Sequence, residues 1–458
     1  MFPEAFIKRI KKQEYIDSKE LLQSLQEPSP VSVRVNRDKW KQSPLDSEKV
    51  PWCRDGYYLS ERPSFTLDPL FHAGVYYPQE ASGMFLEQII KQVAHEGSNL
   101  KILDLCGAPG GKATHLSSLA GKQGLIVANE VIRQRTNILA ENITKWGLSN
   151  TLVTQADPSA FKNIRSFFDI ILVDAPCSGE GMFRDINVVR EWSEDNTILC
   201  ADRQKRILMN IWSALKDNGI LIYSTCTFNP AENEENIKWL CGKHEAESIR
   251  INIADYQGIT EIYYKGVYGY GFYPGRIRGE GLFFSVLRKR EKEFLHKNKL
   301  RSGTWNSLSE KEKAAVKEWT DLPVNNMMRD GNDIISVPYD KDSYLLLTDS
   351  MNTIKSGTKI FTRKKNDYIP SHDLALSVYF RKGIFPTSEL GLPDALAYLS
   401  KKDLNFSVPY KGWNIVAYHD ISLGFIKNLG IRINNYYPSH WRIRMNYEKP
   451  VDNIIKWG

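Results

Sequence analysis

Two cysteines lie at positions where their thiols could form a covalent bond to a substrate. Cys177 and Cys226 each follow a short apolar run, residues 169–174 and 219–224, that predicts a buried parallel strand. In an open α/β sheet the loops at the carboxyl ends of the strands form the ligand crevice. We therefore expect both thiols to open into one pocket. Two thiols on one rim favour a transferase that works through a covalent intermediate.

A glycine-rich loop follows a third predicted strand, residues 101–105. It does not fit a phosphate-binding Walker loop, because Cys106 replaces the opening glycine and Ala113 replaces the required hydroxyl. The dinucleotide fingerprint fails because an Ala-Pro pair follows Gly107. A strand-to-helix turn with free backbone amides suits the carboxylate of S-adenosylmethionine. The loop residues that we assign to this cofactor are Cys106, Gly107, Ala108, Pro109, Gly110, Gly111 and Lys112.

Acidic residues end the next two predicted strands. Glu130 follows the run 124–129, and Asp157 follows the run 151–156, with a helix predicted between them at about 133–146. A carboxylate at the first position can accept hydrogen bonds from both ribose hydroxyls, and we expect Asp157 to reach the adenine amino group. Either acid could instead cap the helix that comes after it. We assign both acids, together with Asp174, to the cofactor site.

Three long motifs resemble those of a known enzyme family. Residues 106–112, 174–181 and 223–236 are similar to the signature motifs of the Nol/Nop/Sun-type RNA cytosine-5 methyltransferases. Residues 74–82 resemble the motif before the cofactor domain, and residues 276–284 resemble the closing hairpin. The resemblance covers about residues 1–290, and the extra C-terminal region resembles the bacterial RsmF-type enzymes, which modify small-subunit ribosomal RNA. Gly107 departs from the family, in which alanine is usual, and this change does not threaten the chemistry.

The resemblance implies a role for each residue of the catalytic site. Cytosine C5 becomes nucleophilic only after a thiolate adds to C6, and a second thiol can assist the later release. In the family the thiol of the Thr-Cys pair attacks, so Cys226 is the expected nucleophile and Cys177 the release thiol. Asp174 is expected to hydrogen-bond the N3/N4 edge of cytosine. Lys112 either faces the base or braces the cofactor loop, and the sequence leaves both roles open.

The chain is long enough for several domains. We expect an α/β fold with a Rossmann-like S-adenosylmethionine-dependent methyltransferase sheet, an N-terminal α+β lobe and a C-terminal PUA-like β-barrel region. We expect the sheet to be complete by about residue 290. The basic stretch 288–301 is predicted to be a linker or an exposed helix. The predicted division is an N-terminal lobe at 1–70, a catalytic domain at 71–290, a linker and intermediate region at 291–375, and an RNA-binding domain at 376–458.

Positive charge is concentrated in the C-terminal part of the chain. Residues 291–458 contain 25 Lys and Arg against 19 Asp and Glu, so +6 of the net charge of +7 lies there. Such asymmetry suits a polyanionic partner, although it is also typical of a solvated face. Arg442 and Arg444 alternate across Ile443 and are predicted to share one face of a strand. The RNA-binding residues that we select are Arg442, Arg444, Lys411 and Arg432. A wider RNA surface adds Trp413, Lys427, Tyr436, Tyr437, His440 and Trp441, of which the two tryptophans fit the core of a small barrel better than an RNA surface.

Three functions compete on this sequence. The first is methylation of cytosine C5 in 16S ribosomal RNA, the second is the same chemistry on transfer RNA, and the third is a non-catalytic RNA-binding assembly factor. The intact pair of cysteines and the intact acids argue against the third. The six cysteines form no Cys-x-x-Cys pair, so no zinc site or disulfide framework is indicated. Without a signal core or an apolar run long enough to cross a bilayer, we expect a cytoplasmic monomer that binds ribosomal RNA or the small ribosomal subunit.

Overall fold

The computed structural model describes residues 2–94, 99–291, 305–365, 367–404, 406–408, 410–446 and 453–458. Most of the predicted linker at 288–301 therefore lies outside the described residues. Four sheets organise the described residues, and the largest of them has ten strands. This large sheet carries the two cysteine loops and the glycine-rich loop at its parallel centre.

An N-terminal lobe combines helices with a four-stranded antiparallel sheet of order β2-β3-β1-β4. Alternating apolar residues in the first strand bury Val33 and Val35, as expected for a strand with one face on a core. Asp17 caps the second helix by accepting hydrogen bonds from two backbone amides. The elements are α1 (Glu4–Ile10), α2 (Ser18–Ser24), β1 (Val31–Val35), β2 (Ser47–Lys49), β3 (Gly56–Leu59), α3 (Pro69–His72) and β4 (Tyr76–Pro78).

The ten-stranded sheet contains the predicted Rossmann-like core. Its helices and first strands are α4 (Leu86–Val93), β5 (Lys101–Asp104), α5 (Gly111–Leu119), β6 (Leu125–Asn129), α6 (Arg133–Trp146), β7 (Thr151–Gln155), β8 (Phe168–Asp174), α7 (Ile186–Glu191) and α8 (Glu194–Ile211). The remaining elements up to residue 289 are β9 (Leu215–Thr225), α9 (Glu234–Cys241), β10 (Ala246–Ser248), β11 (Thr260–Tyr264), β12 (Val267–Phe272) and β13 (Leu282–Lys289). Strands β9, β8, β5, β6 and β7 lie side by side and parallel, which confirms the strands predicted around the three loops.

Both faces of the parallel sheet are buried. Neighbouring residues of β5 face opposite sides of the sheet. Leu103 packs into one apolar cluster, and Ile102 packs into the cluster on the other face. Parallel sheets covered on both faces read as continuous apolar runs, which explains why these strands are recognisable in the sequence. Helices cover both faces and leave the carboxyl ends of the strands free to form a site.

The intermediate region of the chain contributes a four-stranded sheet of order β14-β15-β17-β18 and one strand elsewhere. Its elements are α10 (Glu310–Trp319), β14 (Met327–Asp330), β15 (Asp333–Ser336), α11 (Lys341–Ser350), β16 (Asn352–Ser356), β17 (Lys359–Lys364), β18 (Asp367–Pro370) and α12 (His372–Leu376). Strand β16 leaves this region and pairs antiparallel with β7 at the edge of the large sheet. The expectation that the large sheet is complete by residue 290 is therefore wrong, because its last strand comes from residues 352–356.

The C-terminal region forms a fourth sheet of order β19-β20-β21-β22. Its elements are β19 (Thr387–Glu389), α13 (Leu392–Leu399), β20 (Gly412–Tyr418), β21 (Ile421–Asn428) and β22 (Ile433–Asn435). One apolar cluster joins this sheet to the N-terminal lobe, with Val416 and Leu423 on one side and Val33 and Tyr57 on the other. The first and last parts of the chain therefore share a core.

Candidate active site

The strand order brings the cysteine loops together. Strand β8 lies between β5 and β9, so the loops after all three strands meet at one edge. Cys177 Sγ lies 3.0 Å from Cys226 Sγ, and the backbone N–H of Cys226 donates to Cys177 Sγ at 3.2 Å. Both cysteines are free and half-buried. The two thiols face one another at the carboxyl edge of the sheet, where the sequence predicts that their loops meet.

Glu232 ties the two cysteine loops to each other. Its buried carboxylate accepts hydrogen bonds from the backbone N–H of Ser178 at 2.9 Å and from the Ser178 hydroxyl at 2.6 Å. The Thr227 hydroxyl donates to the same carboxylate at 3.2 Å. Ser178 and Thr227 are the residues directly after the two cysteines, so one carboxylate fixes the positions of both thiols. Burial raises the pKa of Glu232, although these hydrogen bonds act to lower it.

A second buried carboxylate fastens the N-terminal lobe to the same loops. Arg9 in α1 donates from Nη2 to Glu180 Oε1 at 2.6 Å, and Trp192 Nε1 donates to the same oxygen at 3.0 Å. The backbone N–H of Phe228 donates to Glu180 Oε2 at 3.2 Å. Glu180 lies in the first cysteine loop and Phe228 in the second, so the lobe supports both.

Asp174 forms an ion pair beside the thiols. Lys112 Nζ donates to Asp174 Oδ2 at 2.8 Å, and the Ser224 hydroxyl donates to Asp174 Oδ1 at 2.6 Å. Burial would lower the pKa of Lys112, but the Asp174 carboxylate outweighs it and raises that pKa. Lys112 is therefore a cation that holds Asp174 in place and interacts electrostatically with Cys226.

The glycine-rich loop is held from α6. Arg135 Nη2 donates to the carbonyl of Ala108 at 2.9 Å, and Asn142 Nδ2 donates to the carbonyl of Pro109 at 2.8 Å. Gly110 has a φ of +123°, a conformation that favours glycine, and a Cβ there would lie 3.3 Å from Asn142 Cβ. The backbone of the loop is thus positioned by side chains, and its turn into α5 depends on Gly110.

The cofactor acids differ in their surroundings. Glu130 is buried, accepts from the backbone N–H of Ile132 at 3.0 Å and lies 3.3 Å from Arg135. Asp157 is exposed and accepts from the backbone N–H and the hydroxyl of Ser159 at 2.9 and 2.6 Å. Asp157 therefore caps the short 3-10 helix that follows it, whereas no side chain caps α6 and Glu130 is a buried carboxylate just before it.

Asp104 is a buried carboxylate that sequence reasoning missed. It ends β5 and is completely buried, and neither of its oxygens accepts a hydrogen bond of normal geometry among the described residues, although the backbone N–H of Cys106 acts to lower its pKa. Burial, helped by the charge of Asp174, raises its pKa to about 7. Orphaned carboxylate oxygens beside the glycine-rich loop fit the cationic amino group of S-adenosylmethionine. The position of Asp104 one residue before the end of a predicted strand is the signal available in the sequence.

The predicted RNA-binding residues are all exposed, but they do not form one strand face. Lys411, Arg432, Arg442 and Arg444 are exposed. The prediction that Arg442 and Arg444 share a strand is wrong, because they come after a short 3-10 helix that ends at Trp441. Proline and aromatic residues just before Arg442 favour a turn there over a continued strand. Of the wider surface, Tyr437 is buried while Trp413, Lys427 and Trp441 are half-buried.

One group of potential metal ligands lies away from these loops. Within the described part of the chain, Cys53, Glu87 and His115 are the residues of this kind that cluster, and all three are buried. Glu87 already pairs with Lys91 at 2.7 Å and lies 3.4 Å from His115 Nε2. Burial raises the pKa of Cys53 to about 12 and lowers that of His115 to about 4. The group is therefore a protonated thiol and a neutral imidazole around a paired carboxylate.

Comparison with known proteins supports the resemblance. Three family models match the chain in order: the N-terminal domain of 16S rRNA methyltransferase RsmF at 2–81, 16S rRNA methyltransferase RsmB/F at 91–288, and the RsmF PUA domain at 385–443. Together these models match most of the chain, and the RsmB/F model matches the catalytic region. The resemblance stated from the three motifs is thereby confirmed, as are the Rossmann-like α/β fold and the C-terminal PUA region.

Relatives and solved structures agree with this assignment. The chain is 29% identical to ribosomal RNA small subunit methyltransferase F of Shewanella loihica, over 85% of this chain and 83% of that one. It is 27% identical to the protein of the same name from Shewanella frigidimarina, over 94% and 96%. A methyltransferase homologue from Pyrococcus horikoshii has the same fold with a TM-score of 0.53 and 26% identity, over 63% of this chain and 95% of that one. NSun6 from the same organism, solved with the S-adenosylmethionine analogue SFG, has a TM-score of 0.52 and 20% identity, over 64% and 99%.

The comparisons establish the cofactor and the class of enzyme. The protein is an S-adenosylmethionine-dependent methyltransferase, and its relatives are named as ribosomal RNA methyltransferases. The glycine-rich loop and the buried acids Asp104 and Glu130 lie at the carboxyl ends of β5 and β6. Across the ranges that the structure describes, no helix is long and apolar enough to span a membrane.

Proposed function

We propose that this protein transfers a methyl group from S-adenosylmethionine to C5 of a cytosine in 16S ribosomal RNA through a covalent bond between Cys226 and C6. The relatives are named as small-subunit ribosomal RNA methyltransferases. The observation that carries the proposal is the pair of thiols 3.0 Å apart beside the ion pair of Lys112 and Asp174. A methyl transfer to a more nucleophilic atom would need neither thiol.

Cys226 is the attacking thiol in this proposal. The contact with Cys226, together with burial, raises the pKa of Cys177 well above its usual range. Cys177 therefore keeps its proton at neutral pH. Cys226 lies within electrostatic reach of the Lys112 ammonium, and in the family that the motifs resemble the thiol of the Thr-Cys pair attacks. These two points support Cys226 as the nucleophile and Cys177 as the thiol that assists release.

Each of these residues has its own part in the proposed reaction. The Cys226 thiolate adds to C6 of the cytosine while Asp174 hydrogen-bonds the N3/N4 edge of the ring. Negative charge then develops at C5, which accepts the methyl group that bound S-adenosylmethionine supplies. Water accepts the C5 proton, the electron pair of the C5–H bond restores the C5–C6 double bond, and the C6–S bond breaks so that the Cys226 sulfur leaves with its electron pair. Cys177, held against Cys226, assists that release by donating its proton to the leaving sulfur.

The residues proposed to hold the cofactor surround the ends of β5 to β8. Loop residues 106–112 would receive the amino-acid end, and Asp104 would pair with its ammonium group. Glu130 would bind the ribose, and Asp157 the adenine amino group. Asp174 borders both the cofactor and the base. The proposed RNA contacts of the C-terminal region are Lys411, Arg432, Arg442 and Arg444.

We also propose the domain division made from the sequence, with one change. The N-terminal lobe, the catalytic region up to residue 290 and the RNA-binding region from residue 376 keep their bounds. Strand β16 is assigned to the catalytic sheet because it pairs along β7. The intermediate region therefore contributes one strand to the catalytic sheet and connects that sheet to the C-terminal region.

The division of labour between the thiols can be tested on a denaturing gel. The protein is incubated with substrate RNA and S-adenosylmethionine as wild type, Cys226→Ala, Cys177→Ala and, as a matched control, Cys241→Ala. A slowly migrating covalent complex should accumulate with Cys177→Ala alone, because attack proceeds and release does not. A complex with Cys226→Ala instead would reverse the two roles. Full activity in both Cys226→Ala and Cys177→Ala would eliminate the covalent mechanism.

The substrate can be tested by bisulfite sequencing of RNA from a deletion strain. A 5-methylcytosine should disappear from 16S ribosomal RNA, and the purified protein should restore it on that RNA or on the assembled subunit. Disappearance from transfer RNA alone would instead assign the same chemistry to that substrate. An unchanged pattern in both RNAs would support a non-catalytic assembly factor.

A further inference from the structure

The turn between β21 and β22 exposes large apolar side chains. Ile431 is 96% exposed and Leu429 is 41% exposed, while the neighbouring Tyr410 is 60% exposed. Scattered exposed hydrophobic residues are ordinary, but a group of them marks an interaction site. We call Tyr410, Lys411, Leu429, Ile431 and Arg432 the tip patch.

Hydrogen bonds hold the tip patch together. Asn428 Nδ2 donates to the carbonyl of Val408 at 2.9 Å and to that of Tyr410 at 3.2 Å. Its Oδ1 accepts from the backbone N–H of Gly430 at 2.8 Å. One amide therefore joins the segment before β20 to the β21–β22 turn. A Cβ on Gly430 would lie 3.0 Å from Lys411 Cε, so Lys411 lies directly against the turn.

Positively charged residues predominate in the sequence that contains the β21–β22 turn. Between Asp420 and Glu448 the sequence contains no acidic residue, whereas it contains Lys427, Arg432, Arg442 and Arg444. Lys411 and Arg432 are exposed beside Ile431. Next to the patch, Lys427 Nζ lies 5.0 Å from the centre of the Trp413 ring, and the Tyr436 ring packs edge-on against Trp413 at 4.5 Å. RNA matches this combination, because its phosphates attract the cations and its flat bases can stack on the apolar side chains.

We propose that the tip patch is an RNA wedge. Ile431 and Leu429 enter the base stack where paired RNA becomes unpaired, and Lys411 and Arg432 hold the phosphates on either side. Apolar side chains inserted between bases unstack them at a cost that the added contacts offset. The target cytosine must leave its stack to reach Cys226, and a side chain that separates stacked bases favours such open RNA. This inference rests on RNA being the substrate of the proposed function, and the charge pattern favours RNA over a protein partner.

The test measures binding of the full chain to one synthetic RNA hairpin that ends in a single-stranded tail. A 2-aminopurine at the junction reports unstacking by its fluorescence. Wild type should bind and raise the fluorescence. Ile431→Ser should bind about tenfold more weakly, without the fluorescence rise and with an unchanged salt dependence. The double variant Lys411→Ala and Arg432→Ala should instead flatten the slope of log affinity against log salt by about 1 to 2.

Matched controls and outcomes separate the possibilities. Ile198→Ser changes an isoleucine that is 60% exposed on α8 and should bind and unstack like wild type. If Ile431→Ser equals wild type in affinity and fluorescence, the wedge is overturned and the patch is left to another partner such as a ribosomal protein. Bisulfite analysis of 16S RNA treated with wild type tests the proposed function separately. Methylation by wild type with no effect of Ile431→Ser would reject the wedge alone.

Discussion

At the scale of single residues, buried carboxylates define this site as much as the thiols do. Glu232 and Glu180 are completely buried. Glu232 accepts from donors in both cysteine loops, and Glu180, in the first loop, accepts from Arg9, Trp192 and the backbone of Phe228 in the second. Asp104 is equally buried, but neither of its oxygens accepts a hydrogen bond of normal geometry among the described residues. A buried charge without a partner is costly, and a cationic ligand group would remove that cost. Asp104 is therefore the residue at which cofactor binding should depend on pH.

We expect the affinity for S-adenosylmethionine to rise as the pH increases through about 7. The pKa of Asp104 is raised to about 7, so its carboxylate is protonated below that pH and cannot pair with the ammonium group. The sign for stability is opposite, because a raised carboxylate pKa lowers the free energy of unfolding as pH rises from about 4 to about 7. Calorimetry from pH 5.5 to 8.5 measures the affinity.

Two variants make this pH test specific. Asp104→Asn should bind more weakly at high pH and should lose the pH dependence near 7. Asp157→Asn, which changes an exposed acid at the same edge of the sheet, should keep that dependence. Equal pH profiles for wild type and Asp104→Asn would show that another group controls cofactor binding.

The sequence predicts the thiols but not Asp104. Cys177 and Cys226 come directly after apolar strands, and strand ends of one parallel sheet must meet at one edge. Asp104 lies inside its predicted strand, where a side chain normally faces a covered side of the sheet. Its lack of a partner depends on how β5, β6 and β8 pack together. The sequence does not contain that information locally.

At the scale of elements, one arginine connects the N-terminal lobe to the cofactor loop. Arg34 in β1 is buried and donates to Gln79 Oε1 at 2.8 Å and Thr114 Oγ1 at 2.7 Å. It also donates to the carbonyl of Gly111 at 3.3 Å and stacks on the Trp146 ring at 4.3 Å. Burial lowers its pKa to about 10, so it stays charged at pH 7. One side chain thus links β1 to the start of α5.

Replacing Arg34 with lysine should loosen that link. Lysine cannot reproduce the planar fork of donors, so partners are left unpaired, and we expect a loss of about 2 kcal/mol in the free energy of unfolding. The affinity for S-adenosylmethionine should fall as well, because Gly111 belongs to the cofactor loop. Urea unfolding and calorimetry measure the two effects. Arg250→Lys, at an exposed pair with Glu261, is the control and should change the free energy of unfolding far less, because water screens exposed ion pairs. If Arg34→Lys has the free energy of unfolding and the S-adenosylmethionine affinity of wild type, Arg34 does not support the cofactor loop.

The elements also show where sequence patterns fail. Helix α6 has the bounds that the sequence predicts, residues 133–146, because Gly147 ends it in a left-handed conformation. Strand β16 is not predicted by any pattern. Its sequence Asn-Thr-Ile-Lys-Ser has one strongly apolar residue, since an edge strand needs less burial than a central one. Its partner β7 lies about 200 residues earlier, and no local pattern specifies such a pairing.

At the scale of the whole molecule, the ends of the chain are bound into one structure. The N-terminal lobe shares an apolar cluster with the C-terminal sheet. The Tyr437 hydroxyl lies 3.3 Å from His72 Nδ1, and Pro44 forms a β-bridge with Trp457. Strand β16 closes the edge of the catalytic sheet. The catalytic region therefore depends on the intermediate and C-terminal regions for its own packing.

Truncation should show this dependence. A chain of residues 1–290 lacks β16 and the C-terminal half of the shared core, so we expect a melting temperature lower by at least about 10 °C and a tendency to aggregate through the open edge of β7. A chain of residues 1–376 keeps β16 and should lose less stability. Scanning calorimetry and light scattering measure both effects. A 1–290 protein that melts like the full chain and binds S-adenosylmethionine equally well would show that the catalytic region stands alone.

The position of β16 in the chain also determines when the catalytic sheet can be completed during translation. Strand β7 ends at Gln155, but its outer neighbour begins at Asn352, so the nascent chain carries an unpaired strand edge while nearly 200 residues are added. At about 5 to 20 residues per second this interval is about 10 to 40 s. An enzyme built to act on ribosomal RNA thus cannot close its own catalytic sheet until most of its chain has been translated. During that interval the emerging β7 edge is a natural substrate for chaperones at the ribosome.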